Sequence, residues 1–133
     1  MVASLQTTEQ LLTAFQENKS WDKHYKLIIQ LGKKLPKMDV KDKVESNLLQ
    51  GCESLAWLII NKEGDLYTFK MDSDTRVVKG LMMILFIIYQ GQKTEHLAHF
   101  DIQGYFTKLG LLKHLSPSRT NGLLTIIEKI QRG

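Results

Sequence analysis

The sequence predicts an α+β fold: a small antiparallel sheet, built from a hairpin plus a possible third strand, with helices packed on one face. Two changes of texture carry this reading. Apolar residues recur at helical spacing near the start of the chain and again from Asp72 onward. Between them, "LAWLIINKEGDLYTFKM" (Leu55–Met71) is rich in aromatic and β-favouring residues around a Glu-Gly-Asp turn. At 133 residues and 43% hydrophobic content, the chain has the size of one domain with one core, taken as residues 1–133.

The elements follow in order. Thr7 or Thr8 caps a first helix with Leu11, Leu12 and Phe15 on one face. Ser20 caps a second, whose apolar positions are Trp21, Tyr25, Ile28, Ile29 and Leu31; Gly32 and then Leu35-Pro36 end it. Lys37–Ser46 is polar, longer than a usual loop, and has room for one helical turn. In the second arm of the hairpin Tyr67, Phe69 and Met71 alternate with Leu66, Thr68 and Lys70, so one face is buried and the other partly wet. Two strands alone are marginal, and a third is expected near the loop or just before Asp72. Asp72, Ser73 or Asp74 caps the next helix, which is apolar on every face from Leu81 to Ile88 and therefore central; Gly91 is its stop. A short helix from Thr94 follows, then one from Asp101 through Leu109 closed by Gly110. Ser116 with Pro117 opens the last helix, with Leu123, Leu124, Ile127 and Ile130 as its buried stripe.

Composition narrows the function classes. The longest apolar run, Gly80–Tyr89, is far short of the ~20 residues that span a bilayer, and the amphipathic start of the chain is no signal segment. A single cysteine forms no intramolecular disulfide. The expectation is a soluble protein in a reducing cytoplasm, with no membrane partner. The net charge of +4 raises nucleic acid as a partner. However, "GKKLPKMDVKDKVE" interleaves its lysines with Asp39, Asp42 and Glu45 and holds no aromatic residue to stack on bases. It reads as a solvated connecting segment, and no nucleic-acid partner is expected. Four separated histidines and one cysteine make no metal site, and His96 and His99 read as exposed or satisfied. There is no Gly-rich phosphate loop, catalytic triad or carboxylate pair.

Two residues remain unexplained. Cys52 is either a buried small hydrophobe, as free cysteines often are, or a reactive thiol. It sits where a polar loop enters a strand, beside Gly51, which leaves room for another backbone to approach. Glu53 next to it does not favour the thiolate, so the site suits acceptance from a partner better than autonomous catalysis. Arg119 falls in the first turn of the last helix, where the dipole disfavours a cation. Either a carboxylate partner resolves this or the arginine is simply exposed. Asp72 and Asp74 are accounted for by capping.

Four stretches resemble the SufE/CsdE family of sulfur acceptors, which work with PLP-dependent cysteine desulfurases in iron–sulfur cluster assembly. "WDKHYKLIIQLGKKLP" resembles the family's second helix, and "NLLQGCESLAW" its acceptor-cysteine loop. "MDSDTRVVKGLMMILFIIY" is similar to its central helix, and "HLSPSRTNGL" to its closing motif. Leu55 and Ala56 depart from the polar residue and valine of the pattern but keep its strand character. "DSD" and "HFDI" lean toward the SufE branch rather than the CsdE branch.

The resemblance implies a sulfur carrier. Cys52 is the persulfide acceptor; Asn47, Gln50, Gly51, Glu53 and Ser54 belong to its loop; Asp72, Asp74 and Arg119 support the loop or meet the partner. It implies a desulfurase of the SufS/CsdA type upstream and an iron–sulfur scaffold protein downstream. It implies no cofactor of the chain's own, since PLP belongs to the desulfurase, and stimulation of the desulfurase rather than autonomous catalysis. An apolar shelter lined by Trp57 and the Met82–Phe86 helix is expected to protect the persulfide, with Cys52 taking a tucked and an extended position. The apolar residues are accounted for by one core, so a monomer is expected. The alternatives are a CsdE-type acceptor feeding another pathway such as tRNA modification, and a non-catalytic interaction module with a structural cysteine.

Overall fold

The computed structural model describes residues 7–49 and 55–132. Helix α1 (Thr8–Glu17) opens on Thr7, whose Oγ1 accepts from the Gln10 amide at 3.1 Å while Gln10 Oε1 accepts from the Thr7 amide at 3.2 Å. This reciprocal box satisfies two backbone donors that a helix start leaves free. Helix α2 (Trp21–Lys34) is capped by Ser20, as its sequence predicts. Two details of α2 differ from expectation. Tyr25 is exposed, and His24 takes the inward position, with Nε2 2.8 Å from the Phe15 carbonyl oxygen. Gly32 does not end the helix, which continues to Lys34 and stops where Leu35 must be extended before Pro36.

Gly32 serves packing instead. Helix α3 (Arg76–Tyr89) crosses α2 there. A Cβ on Gly32 would stand 3.0 Å from the Gly80 nitrogen, and one on Gly80 would overlap the Ile28 carbonyl. Two glycines thus let two backbones approach where larger residues would hold them apart. α3 is the centre of the molecule, with Leu81, Met82, Ile84, Leu85, Ile88 and Tyr89 buried.

Strands β1 (Ala56–Glu63) and β2 (Leu66–Ser73) pair antiparallel along their whole length, from Ala56↔Ser73 to Glu63↔Leu66. Gly64 supplies the positive φ, +62°, that a two-residue turn needs at its first position. Leu58, Tyr67, Phe69 and Met71 join the helices in one core, as the alternation predicts. A third strand is present, but elsewhere than expected. β3 (Gln92–Lys93) follows α3 and pairs with the start of β2 through Leu66↔Lys93 and Tyr67↔Gln92, giving the order β1-β2-β3. The turn that delivers it is fixed by Gly91, whose amide donates to the Tyr67 carbonyl, and by Gln90 Oε1, which accepts from the Phe69 amide.

Helices α4 (Thr94–His99), α5 (Ile102–Leu109) and α6 (Pro117–Arg132) close the chain. Asp101 caps α5 and Gly110, at φ +74°, ends it. In α6 the inward stripe is Leu123, Ile126, Ile127 and Ile130; Leu124, expected inside, is 37% exposed. Among the described residues no helix is long and apolar enough to cross a membrane.

Candidate functional site

Two strand ends and one polar segment meet around the ends of residues 50–54. Upstream, most of Lys37–Ser46 is exposed, as a connecting segment should be, and it holds the helical turn for which its length has room. It forms short 3-10 turns at Val40–Asp42 and Glu45–Asn47, the Asn47 side chain donating to the Asp42 carbonyl at 2.8 Å. It runs along the sheet face opposite the core, where Asp42 lies 3.8 Å from Lys70 and Lys43 reaches Asp72. Leu48 then forms a bridge with Trp57, and the Leu49 amide donates to the Ala56 carbonyl at 2.8 Å. Downstream, the Leu55 carbonyl accepts twice, from Ser73 Oγ at 2.7 Å and from the Asp74 amide at 3.2 Å. The chain is therefore held on both sides of residues 50–54, at Leu49 and at Leu55.

Asp72 is the electrostatic centre of this arrangement. It is 4% exposed; Oδ2 lies 3.0 Å from Lys43 Nζ, and Oδ1 lies 3.6 Å from Lys79 Nζ while accepting from the Ser73 amide at 2.8 Å. Burial pulls its pKa upward, but the Lys43 hydrogen bond, the Ser73 amide and the charges of Lys79 and Lys43 together outweigh it and hold the carboxyl below the ordinary aspartate value. Lys43 Nζ also stands 5.4 Å from the centre of the Trp57 ring, a cation–π distance.

The capping role expected of Asp72, Ser73 and Asp74 is corrected. Thr75 precedes α3 without a side-chain cap bond, and Ser73 is still strand. Asp72 is engaged by the lysines, and exposed Asp74 accepts from its neighbour Thr75 Oγ1 at 3.1 Å. The reason is β2's length: it carries through Ser73, so these polar groups serve the strand end before the helix begins.

The expected site residues are distributed as follows. Gln50, Gly51, Cys52, Glu53 and Ser54 lie outside the described residues. Asn47 and Asp72 belong to the cluster above. Arg119 is in the first turn of α6, its amide donating to Ser116 Oγ at 3.3 Å. It is half-buried, and its Nη1 is buried with no hydrogen-bond partner among the described residues. The shelter expected from Trp57 and the Met82–Phe86 helix would lie beneath residues 50–54, which are outside the described residues. Trp57 pairs with Asp72 on the outer face, whereas Met82 is fully buried in the core. Beside Asn47–Leu49 there is an open groove of about 640 Å³, where Leu58 and Ile60 meet Glu128, Lys129 and Arg132. Sequence reasoning missed Lys43 and Lys79. Their only signal was two lysines flanking a strand-end aspartate in space, which no linear spacing records.

His96 and His99 are satisfied by backbone carbonyls of Ile88 and Glu95, and no group of potential metal ligands occurs among the described residues.

The fold and these motifs coincide with a known domain. The SufE family, described as an Fe-S metabolism associated domain, matches residues 9–133. The chain belongs to the SufE family. A solution structure of a hypothetical protein from Thermus thermophilus is similar in fold, with TM-score 0.75 at 18% identity over 94% of this chain and 90% of that one. Membership in the family associates the chain with iron–sulfur metabolism.

Proposed function

We propose that this SufE-family chain is a sulfur acceptor and carrier that takes sulfane sulfur from a cysteine desulfurase onto Cys52 and passes it on for iron–sulfur cluster assembly. The observation that carries the reading is the family match across residues 9–133, which includes the chain's one cysteine.

The chemistry is thiol–disulfide exchange. The desulfurase holds sulfur as a cysteine persulfide. Cys52, deprotonated, attacks the terminal sulfur. A sulfur–sulfur bond forms on Cys52, the bond to the desulfurase cysteine breaks, and that cysteine leaves as thiolate. No net oxidation occurs. The emptied desulfurase turns over again, so the chain acts as an activator without binding PLP itself. Asn47, Gln50, Gly51, Glu53 and Ser54 form the acceptor loop, and Asp72, Asp74 and Arg119 support it or face the partner. A lone thiol with this task belongs in a reducing cytoplasm.

Turnover of a SufS-type desulfurase on L-cysteine tests the proposal. The wild-type chain raises the rate and Cys52→Ser, folded as judged by circular dichroism, does not. Equal stimulation by Cys52→Ser overturns the reading and leaves an interaction module with a structural cysteine.

A further inference from the structure

Strand β1 is an edge of the sheet, and most of that edge is bare. The Ala56 carbonyl accepts from the Leu49 amide, so Ala56 turns its backbone groups away from β2. Backbone direction alternates along a strand, and Leu58, Ile60 and Lys62 therefore turn theirs to the same side. Leu48 covers the near end of this edge through its bridge to Trp57. Beyond it, among the described residues, the outward groups of Ile60 and Lys62 have no backbone partner. The open groove of about 640 Å³ runs beside this stretch, lined by Leu58–Ile60, by Ser46–Leu49 and by the last turns of α6. A free sheet edge takes up an extended peptide through main-chain hydrogen bonds, while flanking pockets select its alternate side chains.

The lining states what such a peptide must carry. Leu58 is buried and Ile60 half-buried, so apolar side chains suit the sheet side of the groove. On α6, Lys129 and Arg132 outnumber the one carboxylate, Glu128; all three are exposed, and none has an ion pair among the described residues. A second copy of the chain fits less well. Its β1 would arrive flanked by its own α6 and Ser46–Leu49, and the exposed run Asn61-Lys62-Glu63 is the kind of polar edge that opposes pairing between sheets.

We propose that the groove between β1 and α6 binds a short extended segment of a partner protein. The segment adds as a strand to the free edge from Leu58 to Lys62, sets alternate apolar side chains against Leu58 and Ile60, and presents a carboxylate to Lys129 and Arg132. This site is separate from the role given to Cys52.

A displayed library of random linear peptides, selected on the full chain, tests this, with enriched peptides resynthesised for titration. They should alternate apolar and polar residues and include an aspartate or glutamate. Their binding should slow amide exchange at Ile60 and Lys62. Lys129→Glu combined with Arg132→Glu, both at exposed positions, should weaken binding by about ten-fold, because the carboxylate then meets like charge. Cys52→Ser should bind as the wild type does. The proposal is overturned if no peptide is enriched, if protection falls outside β1, or if the double charge reversal binds equally well. It is also overturned if Cys52→Ser loses binding, which would place the peptide at residues 50–54. Loss of sulfur transfer by Cys52→Ser with peptide binding intact bears on the carrier function alone and is the result expected here.

Discussion

At the scale of the residue, a buried carboxylate is favourable only when charge and hydrogen bonds replace the lost water. Asp72 has both, from Lys43, Lys79 and the Ser73 amide. Its folded pKa lies below the ordinary 3.8, so the ionised group favours the native state above that value, and the contribution is lost as pH falls through the folded value. Asp72→Asn should therefore cost about 2 kcal/mol in urea unfolding near neutral pH. The gap to wild type should close as the pH is taken below 3.8. A gap that persists unchanged in acid would mean that the ion pairs do not account for it. Ser73→Ala should loosen the Leu55 anchor by about 1 kcal/mol, read as faster amide exchange at Asp74. Much of this scale was hidden from the sequence. "DSD" before a helical run has the composition of a cap, and only the extra length of β2 turns it into an anchor for the neighbouring strand.

At the scale of the element, the α2–α3 crossing depends on Gly80. Alanine there gains about 1 kcal/mol in helix propensity but places a methyl on the Ile28 carbonyl. The overlap wins, and Gly80→Ala should lower unfolding free energy by about 2 kcal/mol. Gly32→Ala, whose nearest contacts are 3.0–3.1 Å, should cost less. The reverse ranking in urea titrations would contradict the crossing geometry. Most elements were legible because their signals are local: Thr7, Ser20, Asp101 and Ser116 cap the helices their positions announce, and Gly64 and Gly110 close the turns theirs announce. What misled was long-range. Gly32 reads as a stop until Gly80 is seen to need it, β3 is only two residues and its partner lies beyond α3, and Tyr25 and Leu124 turn outward while His24 and Ile126 turn in.

At the scale of the whole molecule, one core joins helices to one sheet face, and the other face carries a charged seam beside the candidate site. The seam pairs lysines with aspartates, so the net charge of +4 does not gather there into a phosphate-binding track. Binding to a nonspecific duplex should accordingly be weak and show a shallow salt slope; a steep one, as phosphate contacts produce, would contradict this. The family and the fold were legible because four motifs in order span almost the whole chain. The charged seam was not legible, because Lys43 meets Asp72 through space, across a separation that no linear spacing records. The most direct test is to incubate the chain with a cysteine desulfurase and L-cysteine and weigh the Cys52 peptide. The account predicts one extra sulfur atom on that peptide, removable by dithiothreitol. A desulfurase that turns over in the presence of the chain while Cys52 gains no sulfur would contradict it.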